Sequence, residues 1–307
     1  MEEQLLAWLA ERIPSHRGVP LGPGDDAAAI DLRGGPAIAT VDMITDGVDF
    51  LLEEHELRRI GRKAIAINLS DIAAMAARPV AALASVALPH EMTLDGAKQL
   101  VEGMLDVATQ FDTALAGGDV GSWDDRLAIS VTLLGAATEN GLLRRDGGRP
   151  GDRIFVTGHL GGSILGHHFD FTPRIEEALL LNARYKLSAG MDISDGLSID
   201  LSRLAKKSGV GAQLDLSRVP IADAARQLDD DASPLEHALG DGEDFELLFT
   251  ASPDQAERIA AERPLDPLGV ELTEIGRLID EPGLWALDES DERVKLDITG
   301  WRHDFGG

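Results

Sequence analysis

Pro36 to Ile44 (PAIATVDMI) reads as a strand that ends on acid. After it, Leu57, Ile60, Ala64, Ile67, Asp71 and Met75 recur at spacings of three and four, which places them on one stripe of a helix. Ala81 to Leu88 is a second apolar strand, closed by Pro89. Strand, periodic helix and strand together predict a mixed α/β (α+β) architecture. Outward from this unit, Thr93 can cap a helix running to about Phe111, and Ala114-Leu-Ala leads as a strand into a tight turn at Gly117-Gly-Asp119. Leu127 to Ala137 is a strongly apolar strand. Glu139-Asn-Gly and Asp146-Gly-Gly-Arg-Pro-Gly-Asp152 then form a turn-rich stretch, the best candidate for a domain boundary. The second half restarts with strand Arg153 to Thr157, helices near 174–188 and 197–208, and a strand at Phe245 to Thr250. The expected organisation is two domains, 1–145 and 146–307.

The composition narrows what such a chain can do. With 307 residues, 44% of them hydrophobic, it can bury a sizeable core. Lysine and arginine total 28 against 54 acids, a net charge of −26, which argues against a nucleic-acid backbone or an anionic membrane as partner. There is no cysteine, so disulfides, zinc thiolates, iron–sulfur clusters and thiol nucleophiles are excluded together. The acidic, helix-like start lacks the basic segment of a signal peptide. The longest strongly apolar run, Val80 to Leu88, is far short of the ~20 residues that span a bilayer. A soluble, cytoplasmic protein is expected.

Generic nucleotide signatures mostly fail. No G-x-x-x-x-G-K-[ST] loop is present. Gly22-Pro-Gly-Asp-Asp-Ala27 matches a dinucleotide fingerprint on paper, but no clear strand precedes it and two carboxylates would face the pyrophosphate. Asp304-Phe-Gly306 lies too near the end for an activation loop to follow. Thr157-Gly-His-Leu-Gly-Gly-Ser163 could open a helix N-terminus toward an anion, and a plain strand-to-helix turn explains it equally well.

The acids are more informative. Asp25 and Asp26 sit in a glycine-rich loop, Asp42 at a strand end, and Asp71 within an apolar helical stripe with Asn68 one turn earlier. Asp119 follows a strand; Asp192 and Asp195 precede a helix, and Glu243 lies in Asp241-Gly-Glu-Asp244 before a strand. Singly, each fits a turn or a cap. Together they need cations, because two carboxylates ~4 Å apart repel by ~4 kcal/mol at an effective dielectric near 20. An all-oxygen set suits Mg2+, held by carboxylates and by substrate phosphates, which is the usual arrangement for phosphoryl transfer.

These motifs, taken in order, resemble the thiamine-monophosphate kinase family from end to end. The most specific are Asn68-Leu-Ser-Asp-Ile-Ala-Ala-Met75 and Asp192-Ile-Ser-Asp-Gly-Leu197. Gly24-Asp-Asp-Ala27, Gly47-Val-Asp-Phe50, Gly117-Gly-Asp119, Pro150-Gly-Asp152, Thr172-Pro-Arg174 and Gly242-Glu-Asp-Phe-Glu-Leu247 accompany them. The resemblance implies an aminoimidazole ribonucleotide synthetase-like fold whose N-terminal domain dimerises through its sheet. It implies ATP- and Mg2+-dependent phosphorylation of thiamine monophosphate by direct transfer. Asp26, Thr40, Val41, Asp42, Asp71, Asp119, Asp192 and Asp195 would hold magnesium. Gly118, Asp119, Arg145 and Ser194 would contact ATP, with Asp42, Asp71, Asp119 and Arg145 as the catalytic set. Asp49, Glu243 and Trp301 would lie on the thiamine side.

The chain departs from the family pattern at Val41, at Val120-Gly121, at Asp49 and in a short 166–172 segment. Two alternatives therefore accompany the kinase reading. One is a synthetase or kinase of the same fold with another acceptor. Absence of cysteine disfavours the selenophosphate and hydrogenase-maturation branches of the superfamily. The other is a non-catalytic paralogue that binds nucleotide or metal.

Overall fold

The computed structural model describes residues 2–19, 30–32, 36–287 and 293–302. The chain forms two compact units, residues 1–72 with 77–139, and residues 73–76 with 140–307. Among the described residues no helix is long and apolar enough to cross a membrane.

The first unit contains α1 (Glu2–Arg12), β1 (Ala37–Thr45), α2 (Leu57–Ala74), β2 (Arg78–Pro89), α3 (Leu94–Gln110), β3 (Ala114–Trp123) and β4 (Ala128–Ala136). Its sheet has the order β1-β4-β2-β3, antiparallel except for the parallel β2–β3 pair. The two-residue period of a strand divides its faces. Ile38 and Ile44 of β1 are buried with Ile129, Val131 and Leu133 of β4, on the side that α2 covers. Val41 and Met43, on the other side, are 62% and 65% exposed. Thr93 caps α3 as its position suggests, its hydroxyl accepting the Gly96 amide at 3.0 Å. One expectation changes here: Gly117-Gly-Asp119 lies inside β3 rather than on a turn, because the strand runs on to Trp123.

Helices α2 and α3 cross at Gly61 and Gly103. A Cβ on Gly103 would fall 1.8 Å from the Arg58 carbonyl oxygen, and one on Gly61 would fall 1.9 Å from that of Leu100. Alanine is the better helix former by ~1 kcal/mol, yet Gly103→Ala is expected to cost at least ~2 kcal/mol, since it must push two packed backbones apart. Urea unfolding measures this, and an unchanged midpoint would contradict the close crossing.

The second unit contains β5 (Arg153–Thr157), α4 (His167–Asp170), α5 (Ile175–Arg184), β6 (Leu187–Asp192), α6 (Leu197–Ser208) and β7 (Gly211–Leu214). It continues with α7 (Pro234–Gly240), β8 (Leu247–Ala251), α8 (Pro253–Glu262), β9 (Leu272–Ile279), β10 (Gly283–Leu287) and β11 (Arg293–Lys295). The seven strands are ordered β11-β10-β7-β9-β5-β8-β6. Leu197, Leu201 and Leu204 of α6 form the core with Ile154, Val156, Met191, Leu248, Ile275 and Leu278. Phe155 and Phe249, alternate residues of β5 and β8, stack with ring centroids 5.2 Å apart. The helix expected over 174–188 ends at Arg184, and its last residues open strand β6. The turn-rich stretch is tied into this unit: Gly148 donates to the Ser208 hydroxyl, and Gly151 to the Leu278 carbonyl.

Candidate active site

On β1, Thr40 and Asp42 occupy the same helix-facing register as Ile38 and Ile44. A residue on that face meets α2, and Asp71 of α2 is there to meet them. The Thr40 hydroxyl donates to Asp71 Oδ2. The Asp42 carboxyl also hydrogen-bonds Asp71; burial first, then the charge of Asp71, pushes its pKa up to about 7. Two carboxyl groups thus face each other in a half-buried place. The donor set is all oxygen, and a hard divalent cation would relieve the charge conflict between them, so Thr40, Asp42 and Asp71 fit Mg2+. Close by in sequence, Asn68 is fully buried; its amide donates to the Ala64 carbonyl at 3.1 Å, and its Oδ1 has no partner among the described residues. Asp25 and Asp26 lie outside the described residues.

Within the same unit, the Val41 side chain and Asp119 are not assembled with this pair. Val41 faces the opposite side of β1, because neighbours on a strand alternate. Asp42 pairs with Val131, Val131 with Ala84 and Ala84 with Gly118, so this row crosses the sheet from edge to edge. Asp119 is aligned with Ser85 in the next row, on the other face. Three strand spacings separate the two edges, about 14 Å. Among the described residues no group of three or more acidic or histidine side chains is placed to hold a metal ion. Gly118 itself is required by close packing, since a Cβ there would fall 1.8 Å from the Ala84 carbonyl oxygen.

Asp49 sits in the loop after β1. Its carboxylate accepts the Thr45 amide at 2.7 Å, and Lys63 of α2 donates to its carbonyl at 2.9 Å. Lys63 is fully buried and was not singled out from the sequence; a lysine beside an apolar stripe was the available signal.

In the second unit, separate segments converge on the loop between β6 and α6. The Glu243 amide donates to the Ser194 carbonyl at 2.7 Å, the Phe245 amide to the Ile193 carbonyl at 2.8 Å, and the Trp301 amide to the Asp195 carbonyl at 2.9 Å. Ser194, Asp195, Glu243 and Trp301 are therefore brought together, next to buried Asp192 at the end of β6. Glu243 and Phe245 adopt left-handed backbone angles, φ +53° and +51°, a strain of order 1–3 kcal/mol each that the surrounding packing must hold.

Arg145 does not join this group within the unit. Its carbonyl accepts the Ser208 hydroxyl at 2.8 Å, at the far end of α6 from Ser194. Twelve residues of helix separate those ends by about 18 Å. The cation found at the loop is Arg203, which pairs with Asp195 and Asp200. Neither Arg203 nor Asp200 was singled out from the sequence, although their i, i+3 spacing in the helix after an acidic loop was visible.

The glycine-rich turn after β5 does not present its amides to an external anion. Gly161 donates to Asp244 Oδ1 at 2.8 Å and Gly162 to Asp241 Oδ2 at 2.7 Å. Burial drives the Asp244 carboxyl well above its ordinary range, and its Oδ2 has no partner among the described residues. Beside it, Arg174 donates to both carboxylate oxygens of Glu246, which also accepts the Thr157 hydroxyl at 2.6 Å.

Comparison with known proteins follows the same division. The family model of the AIR synthase related protein N-terminal domain matches residues 24–137, and that of its C-terminal domain matches 140–286. The thiamine-monophosphate kinase of Rhodopirellula baltica is 44% identical over 313 residues, covering 99% of this chain and 97% of that protein. That of Bacillus subtilis is 31% identical, covering 98% and 99%. Among solved structures, thiamine-monophosphate kinase from Stenotrophomonas maltophilia superposes with a TM-score of 0.79 at 34% identity, covering 92% of this chain and 94% of that one. AaThiL complexed with AMPPCP and TMP superposes with a TM-score of 0.76 at 27% identity, covering 99% and 96%. Escherichia coli HypE, a hydrogenase maturation protein, shares the fold at 21% identity, with a TM-score of 0.80 and coverage of 97% and 98%.

Proposed function

Because the chain belongs to the AIR synthase related family, and within it to the thiamine-monophosphate kinases, we propose that it transfers the γ-phosphoryl group of ATP to the phosphate of thiamine monophosphate, giving thiamine diphosphate. The observation that carries this reading is the 44% identity to a thiamine-monophosphate kinase over nearly the whole length of both chains. The related structure that holds AMPPCP and TMP supports ATP and thiamine monophosphate as the two substrates.

The chemistry of the site agrees with it. In phosphoryl transfer the protein has little covalent work to do, so positioning and charge neutralisation supply most of the catalysis. Thr40, Asp42 and Asp71 are the residues that would hold Mg2+ in the first unit, and the family resemblance assigns Asp26, Asp119, Asp192 and Asp195 to further magnesium ions. When bound, Mg2+ neutralises charge on the phosphate oxygens and lowers the repulsion between two anionic substrates. Gly118, Arg145 and Ser194 are assigned to ATP, and Asp49, Glu243 and Trp301 to thiamine monophosphate. Trp301 is half exposed and offers an aromatic face suited to a cationic thiazolium ring. The exposed sheet face that carries Val41 and Met43 is the surface that a second copy would cover in a homodimer. The reaction is assigned to the cytoplasm.

Mass-spectrometric detection of thiamine diphosphate from thiamine monophosphate, ATP and magnesium is the test. Product formation with one ADP released per thiamine diphosphate is expected. ATP binding without product would overturn the reading in favour of a non-catalytic paralogue.

A further inference from the structure

We infer that Asp200 and Arg203, which the family assignments leave without a role, are positioning residues for the Ser194–Asp195 loop. The inference rests on the proposed use of Ser194 for ATP. Asp200 is wholly buried in the first turn of α6. Its Oδ2 accepts two backbone amides at once, Ser194 at 3.0 Å and Asp195 at 2.9 Å. Its Oδ1 accepts Arg203 Nη1 at 2.8 Å, and the same nitrogen reaches the Asp195 carboxylate. One buried carboxylate thus ties two consecutive loop amides to the helix that follows, and one guanidinium joins that carboxylate to the loop's own acid.

Geometry explains why this matters for a substrate. A loop of small residues leading into a helix could turn its amides outward, toward a phosphate. Here the Ser194 and Asp195 amides are drawn inward by Asp200, while both residues stay half exposed in a run, Met191 to Asp200, that is otherwise buried. What the loop offers a ligand is then its side chains rather than its amides. Charge-assisted bonds of this kind are short and directional. A buried carboxylate is tolerated because all its strong partners are present. Displacing such a loop by ~1 Å can cost ~10²-fold in a reaction that depends on positioning.

The test separates ATP binding from loss of folded enzyme. Asp200→Asn keeps the side-chain shape and an acceptor but removes the charge that holds Arg203. It is expected to raise KM for ATP and the calorimetric Kd for AMPPCP by about tenfold, with KM for thiamine monophosphate unchanged. A merely structural role would reduce the active fraction, lowering kcat at constant KM. Arg203→Gln, which leaves both amide bonds in place, is the second variant should Asp200→Asn fold poorly, and the same direction of change is expected. Arg203→Lys should restore part of the affinity. Ser194→Ala serves as the reference. If it raises KM for ATP while Asp200→Asn and Arg203→Gln do not, the positioning role is wrong and the site reading stands. If Ser194→Ala leaves KM for ATP unchanged, this loop is not the nucleotide loop, and both fall together.

Discussion

Asp42→Asn is expected to lower turnover by about 10³-fold or more, and in metal-free protein to raise stability above that of the wild type at pH 8. The first part follows from the loss of the negative charge that would hold a cation beside Asp71 and Thr40. The second follows from the same geometry. Burial and the neighbouring Asp71 push the Asp42 carboxyl up to about 7 from an ordinary 3.8. In the unfolded chain Asp42 ionises as pH rises past ~4, whereas the folded protein keeps the proton until about 7. The unfolded state therefore binds fewer protons across that window, so stability falls as pH rises from ~4 to ~7 and levels off above it. The full effect is on the order of 4 kcal/mol. Asparagine keeps a hydrogen-bonding group of the same size and removes the ionisation. Thermal unfolding in EDTA should show the variant and wild type matching near pH 4 and diverging toward pH 8, with magnesium closing the gap by stabilising only the wild type. Unaltered activity, or a gap that does not depend on pH, would remove the Asp42–Asp71 pair from the proposed metal site.

Arg174→Ala should be among the most destabilising single substitutions in the second unit, costing about 3–5 kcal/mol. The Arg174 side chain is 16% exposed, while Glu246 and Glu177 beside it are 3% and 8% exposed. Its Nε and Nη2 both bind Glu246, with Nε at 2.7 Å from Oε2, and Nη1 lies 3.4 Å from Glu177. Removing the guanidinium leaves two buried carboxylates with no counter-charge in contact among the described residues. The Thr157 hydroxyl, which donates to Glu246 and accepts the Leu247 amide, would be disturbed with them, and Thr157 and Leu247 belong to paired regions of β5 and β8. Lysine is a poor replacement, since a point charge cannot reproduce the two-pronged bond. Urea unfolding of Arg174→Ala, Glu246→Gln and the double variant measures the coupling. The double variant should be more stable than Arg174→Ala alone, because it no longer strands an ionised Glu246. Additive losses would refute a coupled buried pair.

Much of this molecule was legible before any coordinates. The helix from Leu57, the Thr93 cap and the apolar strands of the first unit follow from periodicity and from turn chemistry, which act within a few residues. Asp42 and Asp71 were legible as chemistry because an acid on an apolar stripe needs a partner. Less could be read from the second unit, where β7, α7 and β11 are short and β6 begins within three residues of the end of α5. A few residues carry too little pattern to separate strand from helix.

The sequence by itself determined the alternation of strands and helices, the absence of thiol chemistry, and that Asp71 lies on a buried helical stripe. It placed Asp42 and Asp119 at strand ends, whereas β1 runs on to Thr45 and β3 to Trp123. Only the tertiary structure decided which of these acids meet. Asp42 and Asp71 do, Asp119 lies on the far edge and other face of the same sheet, and Ser194 sits with Glu243, Trp301 and Arg203 while Arg145 lies at the other end of α6. The reason is physical: local pattern is set by the sterics of one backbone segment. Register and facing are set by pairing between segments tens of residues apart, and a shift of one residue turns every side chain of a strand to the opposite face.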